Sequence, residues 1–117
     1  MIKIKRVYDP VSLGDGRRIL VDRLWPRGIR KENAAIDEWL KDIAPSTELR
    51  KWYSHDPAKW GEFRKRYKGE LKDKTGIIER LRQESKKQTI TLLFSSREAA
   101  LNNAVALKEF IEHFPLS

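Results

Sequence analysis

Apolar and polar positions follow two rhythms along the chain. Ile2 to Val7, Ile19 to Leu24 and Thr89 to Phe94 are short runs rich in β-branched and aliphatic residues. The last two are too continuously apolar for a strand with one wet face, so they predict strands covered on both sides. Helical spacing takes over between and after them. Ile36, Trp39, Leu40 and Ile43 follow an i, i+3, i+4, i+7 pattern that predicts a helix stopped by Pro45. Leu49, Trp52 and Tyr53 mark a second, short helix. Asp56 followed by Pro57 is a cap and first turn for a third, whose Trp60, Phe63, Tyr67 and Leu71 lie on one stripe. Ile77, Ile78 and Leu81 mark a fourth. Ser96 is the expected cap of the last helix, with Ala100, Ala104, Leu107, Ile111 and Phe114 on one face and Pro115 as its stop.

Strands separated by helices predict an α/β fold: a small parallel or mixed sheet of three to four strands flanked by about five helices. Residues 31 to 88 then form a long helical insertion before the last strand. The chain has 117 residues and no repeat, low-complexity stretch or linker, which fits a single domain. The first connection leaves a choice. Tyr8 to Arg18, with Gly14-Asp15-Gly16 near its end, is short for a parallel crossover and long for a tight hairpin, so the direction of the first strand relative to the second stays open.

Charge adds the first chemical clue. Twenty-five Lys and Arg against 17 Asp and Glu give +8, and a pI near 9.9 favours anionic partners. The excess is concentrated: residues 1 to 31 hold nine basic and three acidic side chains, a net of +6. Residues 32 to 88 hold 14 and 11, and residues 89 to 117 hold two and three. The absence of cysteine excludes thiol nucleophiles, disulfides and thiolate metal sites. Apolar runs are far too short to span a bilayer, and the first residues lack the apolar stretch of a secretory signal, so a cytoplasmic protein without membrane contact is expected. Two distant histidines and no H-E-x-x-H or D-x-D pattern give no metal signature, with Asp9 and Asp22 as the one pair open to magnesium, and no cofactor is expected.

Lys5 to Pro10 (KRVYDP), Val21 to Gly28 (VDRLWPRG), Pro45 to Arg50 (PSTELR) and Thr91 to Ser95 (TLLFS) carry a resemblance. The chain is similar, nearly end to end, to the short, YeaO-like bacterial branch of the domain of unknown function 488 family. The resemblance implies a small α/β domain with a parallel sheet and no established activity. Longer relatives are similar in having a cysteine and a histidine in the loop after the last strand. This chain reads Ser95-Ser96-Arg97 and then Asn102-Asn103 there, so no thiol chemistry carries over.

A parallel sheet would deliver its loops to one edge, where open α/β sheets bind ligands. The first loop brings Arg6, Tyr8 and Asp9, the second Asp22, Arg23, Trp25 and Arg27, and the third Ser95, Ser96 and Arg97. Guanidinium groups beside a helix start at Ser96 would bind phosphate or carboxylate, since a planar fork holds two oxygens at once. Asp22, Asp9 and His55 are the candidates for proton transfer. Structural roles compete for each residue. Asp22 is also suited to an ion pair with Arg6 or Arg23, Trp25-Pro26 to a core wedge and rigid turn, Ser96 to a plain cap, and His113 to a helix C-terminus. Two function classes follow: an α/β protein binding a small anion, with or without catalysis, and a nucleic-acid-binding module using the basic N-terminal third. An apolar stripe on the last helix packs either within the chain or across a homodimer interface.

Overall fold

A computed structural model describes residues 1–113 of the chain. Strands β1 (Ile2–Arg6), β2 (Arg17–Leu20), β3 (Glu38–Trp39) and β4 (Ile90–Phe94) form one sheet in the order β1-β4-β2-β3. All three neighbouring pairs are parallel, which settles the direction of the first strand. The α-helices are α1 (Thr47–Tyr53), α2 (Trp60–Leu71), α3 (Thr75–Lys87) and α4 (Asn103–Glu112). Among the described residues there are four rather than about five, three of them ten residues or longer. None is long and apolar enough to cross a membrane.

The short crossover from β1 to β2 works without a helix because one acidic side chain folds into it. Residues 13–15 form a single 3-10 turn, in which the Ser12 amide donates to Asp15 Oδ2 at 3.1 Å. The Asp15 carboxylate then turns inward, 4% exposed, to meet Lys5 Nζ at 3.1 Å and the Arg18 guanidinium. Its carbonyl accepts from Thr91 Oγ1 at 2.6 Å. Gly16 closes the turn at φ +61°, where a Cβ would lie 2.1 Å from the Thr89 carbonyl oxygen, so no side chain fits.

The two faces of the sheet are covered differently. Ile90, Leu92 and Phe94 of β4 and Ile19 of β2 pack with Leu49, Tyr53, Phe63, Tyr67, Leu81, Leu107 and Ile111 in the main core, under the four helices. Ala104, Leu107 and Ile111 of α4 are buried there, so its apolar stripe packs within the chain. The opposite face carries Val7, Leu20 and Leu93 beneath Trp25, Ile29, Ile36 and Trp39. Every residue of β4 is buried, as its unbroken apolar run predicts, but the second cover is made of loops.

Three elements differ from the sequence expectation. The second strand, expected over Ile19 to Leu24, runs Arg17–Leu20 and leaves Arg23 and Leu24 in the loop beyond it, with Leu24 60% exposed. The stripe Ile36, Trp39, Leu40, Ile43 is no helix: Glu38–Trp39 is a parallel edge strand followed by a 3-10 turn, Lys41–Ile43. The spacing misleads because the chain rounds the sheet edge here. Ile36 and Trp39 pack on one face and Leu40 and Ile43 on the other. The last helix begins at Asn103, capped by the Asn102 side chain, which accepts from the Val105 amide at 3.1 Å. Ser96 is therefore not its cap. Its hydroxyl accepts from the Glu98 amide at 3.0 Å, and the Glu98 carboxylate from the Ala100 amide at 3.1 Å. Such local side-chain bonds hold the backbone in turns and delay the helix. Phe114 and Pro115 lie outside the described residues, and His113 is the C-cap residue of α4.

The remaining helices follow the sequence closely. Asp56 accepts from the Ala58 amide and opens a 3-10 turn, Pro57–Lys59, that leads into α2. Ser46 caps α1 through the Leu49 amide, and Glu70 of α2 grips both the Ser46 amide and its hydroxyl, at 2.8 and 2.6 Å. Tyr67 donates to the Ile43 carbonyl at 2.6 Å, and burial pushes its phenol pKa well above the ordinary value.

Candidate functional site

Parallel pairing brings the carboxyl ends of all four strands to one edge. There a cleft of about 760 Å³ opens between the loops after β1, β2 and β4 on one side and the helical layer on the other. Arg6, Tyr8, Asp22, Arg23, Trp25, Arg27, His55, Ser95, Ser96 and Arg97 all line it. Asp9 does not; it folds back to accept from the Arg6 amide at 3.3 Å and closes the turn after β1. The cleft thus does not bring Asp9 and Asp22 together, and among the described residues no group of three or more acidic or histidine side chains is arranged to hold a metal ion.

Asp22 is the hinge pin of the site. One carboxylate oxygen accepts from the Ser95 amide at 2.8 Å and the Ser95 hydroxyl at 2.7 Å, and the other from Asn103 Nδ2 at 3.1 Å. Asn103 also donates to the Val21 carbonyl, and Trp39 Nε1 to the Asp22 carbonyl at 2.7 Å. The ion pair with Arg6 or Arg23 open to Asp22 from sequence does not form. The residue instead ties the loop after β2 to the loop after β4 and the start of α4.

The arginines divide into two groups. Arg6 reaches across to the Ser96 carbonyl through Nε at 2.9 Å and to the Ser95 carbonyl at 3.3 Å. Arg23 does the same for the Ala44 and Pro45 carbonyls, at 3.0 and 3.3 Å. Both brace loops, but their partners are neutral, so neither charge is cancelled. Arg27, Arg50 and Arg97 are exposed at the rim and make no ion pair or side-chain hydrogen bond among the described residues. By contrast Arg17, Arg18, Arg64, Arg66 and Arg80, all outside the cleft, each have a carboxylate partner.

The aromatic lining is mostly fixed. Trp25 donates to the Ile29 carbonyl at 2.7 Å and meets Trp39 edge-on at 5.4 Å, as the wedge reading requires. Tyr53 stacks on Phe63 at 4.3 Å and donates to the Leu101 carbonyl at 2.7 Å. Burial, then the charges of Glu98 and Asp56, raise its pKa, so the phenol keeps its proton. Tyr8 is 42% exposed, carries the Arg6 guanidinium over one ring face at 4.8 Å and donates to the Arg27 carbonyl at 2.9 Å. Ser54 and His55 are consecutive left-handed residues, at φ 47° and 56°, and His55 is exposed in the cleft wall.

Sequence reasoning missed Arg50, Asn102 and Asn103. Arg50 was hidden by the helix expected over 36 to 43: once Glu38–Trp39 is a strand, Leu40 to Arg50 follows its carboxyl end and Arg50 lines the same cleft as the other loops. The signal for Asn102-Asn103 was present in the pair itself, since Asn is a favoured cap.

The model of a family described as the inactive DUF488-N3 subclade matches residues 1–114. The chain is similar to the uncharacterized protein YeaO of Escherichia coli (strain K12), 47% identical over 110 residues that cover 94% of this chain and 96% of the relative. It is similar also to uncharacterized proteins of Mycobacterium tuberculosis (strain H37Rv) and Mycobacterium bovis, each 40% identical over 110 residues, covering 94% of this chain and 92% of the relative. No solved structure matches the chain at a significant level. With nearly its whole length matched by the family and by full-length bacterial relatives, the chain belongs to the inactive DUF488-N3 subclade, among YeaO-like proteins.

Proposed function

We propose that this protein binds an anionic ligand, bearing phosphate or carboxylate, at the carboxyl edge of its sheet. One observation carries the reading: five guanidinium groups line a single cleft and none of them is paired with a carboxylate. Uncompensated like charges in one concavity repel each other, and an arriving anion relieves that repulsion while accepting paired N–H bonds. Binding without turnover suits the site better than catalysis. Both oxygens of Asp22 are occupied by donors, Asp9 is outside, and the subclade is described as inactive. The nucleic-acid reading has less support, because Arg17 and Arg18 of the basic N-terminal third are already paired with Glu38, Glu84 and Asp15.

Calorimetric titration with inorganic pyrophosphate at low salt tests the proposal. Saturable 1:1 binding, weakened about tenfold or more by Arg50→Ala or Arg97→Ala with folding intact, is expected, since each charged hydrogen bond contributes about 1.5–3 kcal/mol. No binding, or binding by both variants as tight as by the wild type, overturns it. A duplex oligonucleotide bound with a log-log salt slope near −0.9 per phosphate contact would instead favour the nucleic-acid module.

A further inference from the structure

A bare inorganic anion would use only part of this cleft. At about 760 Å³ it is the size of a site for an organic ligand. Its charge is also arranged for more than one negative group: Arg27, Arg50 and Arg97 come from three separate segments, the loop after β2, helix α1 and the loop after β4. No monoanion can neutralise all three. The remaining clue is apolar. Of the large hydrophobic side chains left exposed in the described chain, Tyr8 (42%) and Leu24 (60%) both line this cleft, one from the loop after β1 and the other from the loop after β2. Tyr8 is held in place by its bond to the Arg27 carbonyl and by Arg6 against its ring. It offers a rigid flat face next to unpaired cations, the combination with which proteins receive a nucleobase or similar ring attached to phosphate.

We propose that the cleft takes a nucleotide, with its phosphates held by Arg27, Arg50 and Arg97 and its planar ring laid over Tyr8 and Leu24. This rests on the anion-binding reading above and adds the ring and the charge of at least two. The phosphates displace water from the exposed rim, where each guanidinium can grip two oxygens. The ring covers the two apolar side chains that the fold leaves in water. Because the second ionisation of a phosphate monoester falls near pH 6, a mononucleotide should bind more tightly at pH 7.5 than at pH 5.5.

The test is a matched set of titrations with ADP, AMP, pyrophosphate and adenosine. ADP is expected to bind about tenfold or more tightly than pyrophosphate, with adenosine far weaker than either. Tyr8→Ala should erase the advantage of ADP over pyrophosphate, lowering ADP affinity by far more than pyrophosphate affinity. Tyr8→Phe, which keeps the ring and loses only the hydroxyl, should retain it. Pyrophosphate binding as tightly as ADP overturns the ring assignment and leaves the anion site standing. Failure of all four to bind overturns both. If Tyr8→Ala weakens pyrophosphate and ADP equally, Tyr8 only shapes the loop and the ring assignment also falls. A 5′-phosphorylated oligonucleotide identifies the source: binding tighter than AMP, and dependent on the terminal phosphate, makes the nucleotide a chain terminus, whereas preference for AMP makes it free.

Discussion

Asp15 braces the first crossover of the sheet. It sits with Lys5 and Arg18 beneath the crossover from β1 to β2, and the Arg18 guanidinium it partners is itself 3% exposed and donates also to the Ala35 carbonyl. Removing one member of a buried ion pair strands the other, at a cost of about 3–5 kcal/mol. Asp15→Ala should show that full loss of stability in urea denaturation and Asp15→Asn a smaller one, since the amide still accepts a bond. A loss below about 1 kcal/mol for the alanine variant would show that Arg18 is held by Ala35 alone. The same residue sets an acid limit. Burial pushes the Asp15 carboxyl up, but the Ser12 amide, Lys5 and Arg18 outweigh it and hold its pKa below the ordinary 3.8. A carboxylate with a depressed folded pKa contributes stability that is complete above its unfolded pKa and disappears as pH falls through the folded value. Stability should therefore decline below about pH 4, and Asp15→Asn should flatten that decline when denaturation is repeated across pH 2–5.

At the scale of elements, the edge strand β3 is two residues long and depends on charge as well as hydrogen bonds. Its Glu38 accepts from Arg17 of β2 at 2.6 Å and from Arg80 of α3 at 2.8 Å, and Glu84 joins both arginines. The Asp37 and Leu40 amides on either side bond to the Arg18 and Leu20 carbonyls at 2.8 and 2.9 Å. Glu38→Gln should loosen this edge while leaving the buried β4 untouched. These groups are partly exposed, so the effect is about 1 kcal/mol, or about fivefold faster hydrogen exchange at the Leu40 amide. Unchanged exchange there would mean that Trp39 packing alone holds the strand. This is also where the sequence was least legible. β1 and β4 follow from apolar runs, and the helices α1 to α3 from stripes that each pack on one surface. The stretch from Ile36 to Ile43 serves two surfaces at once, and periodicity has no means of dividing it. The candidate site shows the same boundary. Arg6, Arg23, Arg27 and Arg97 are visible because they lie at the ends of apolar strands or in the loops that follow them, and Arg50 is hidden because its strand is. The clasp of Asp22 with Ser95 and Asn103 depends on partners far away in sequence, which no local pattern announces.

At the scale of the whole molecule, the +8 charge resolves into two populations with opposite responses to salt. Paired cations such as Arg17, Arg66 and Arg80 hold elements together, and added salt weakens them. The five unpaired guanidinium groups of the cleft repel one another, and salt relieves that repulsion. The two effects overlap in the wild-type protein, so its melting temperature alone does not separate them. Comparison with Arg50→Ala/Arg97→Ala does, because both side chains are exposed, make no ion pair among the described residues and leave the surface pairs intact. At 20 mM salt the double variant should melt higher than wild type by a few degrees, given that 1 kcal/mol shifts a domain of this size by roughly 4 °C. Raising salt to 500 mM should close that gap, since the Debye length then falls to about 4 Å. Sulfate should close it at lower concentration than chloride, because a divalent anion engages several guanidinium groups together. A double variant that melts lower than wild type at low salt would mean that Arg50 and Arg97 stabilise the fold through contacts of their own, and the cleft would then lose its claim to stored positive charge.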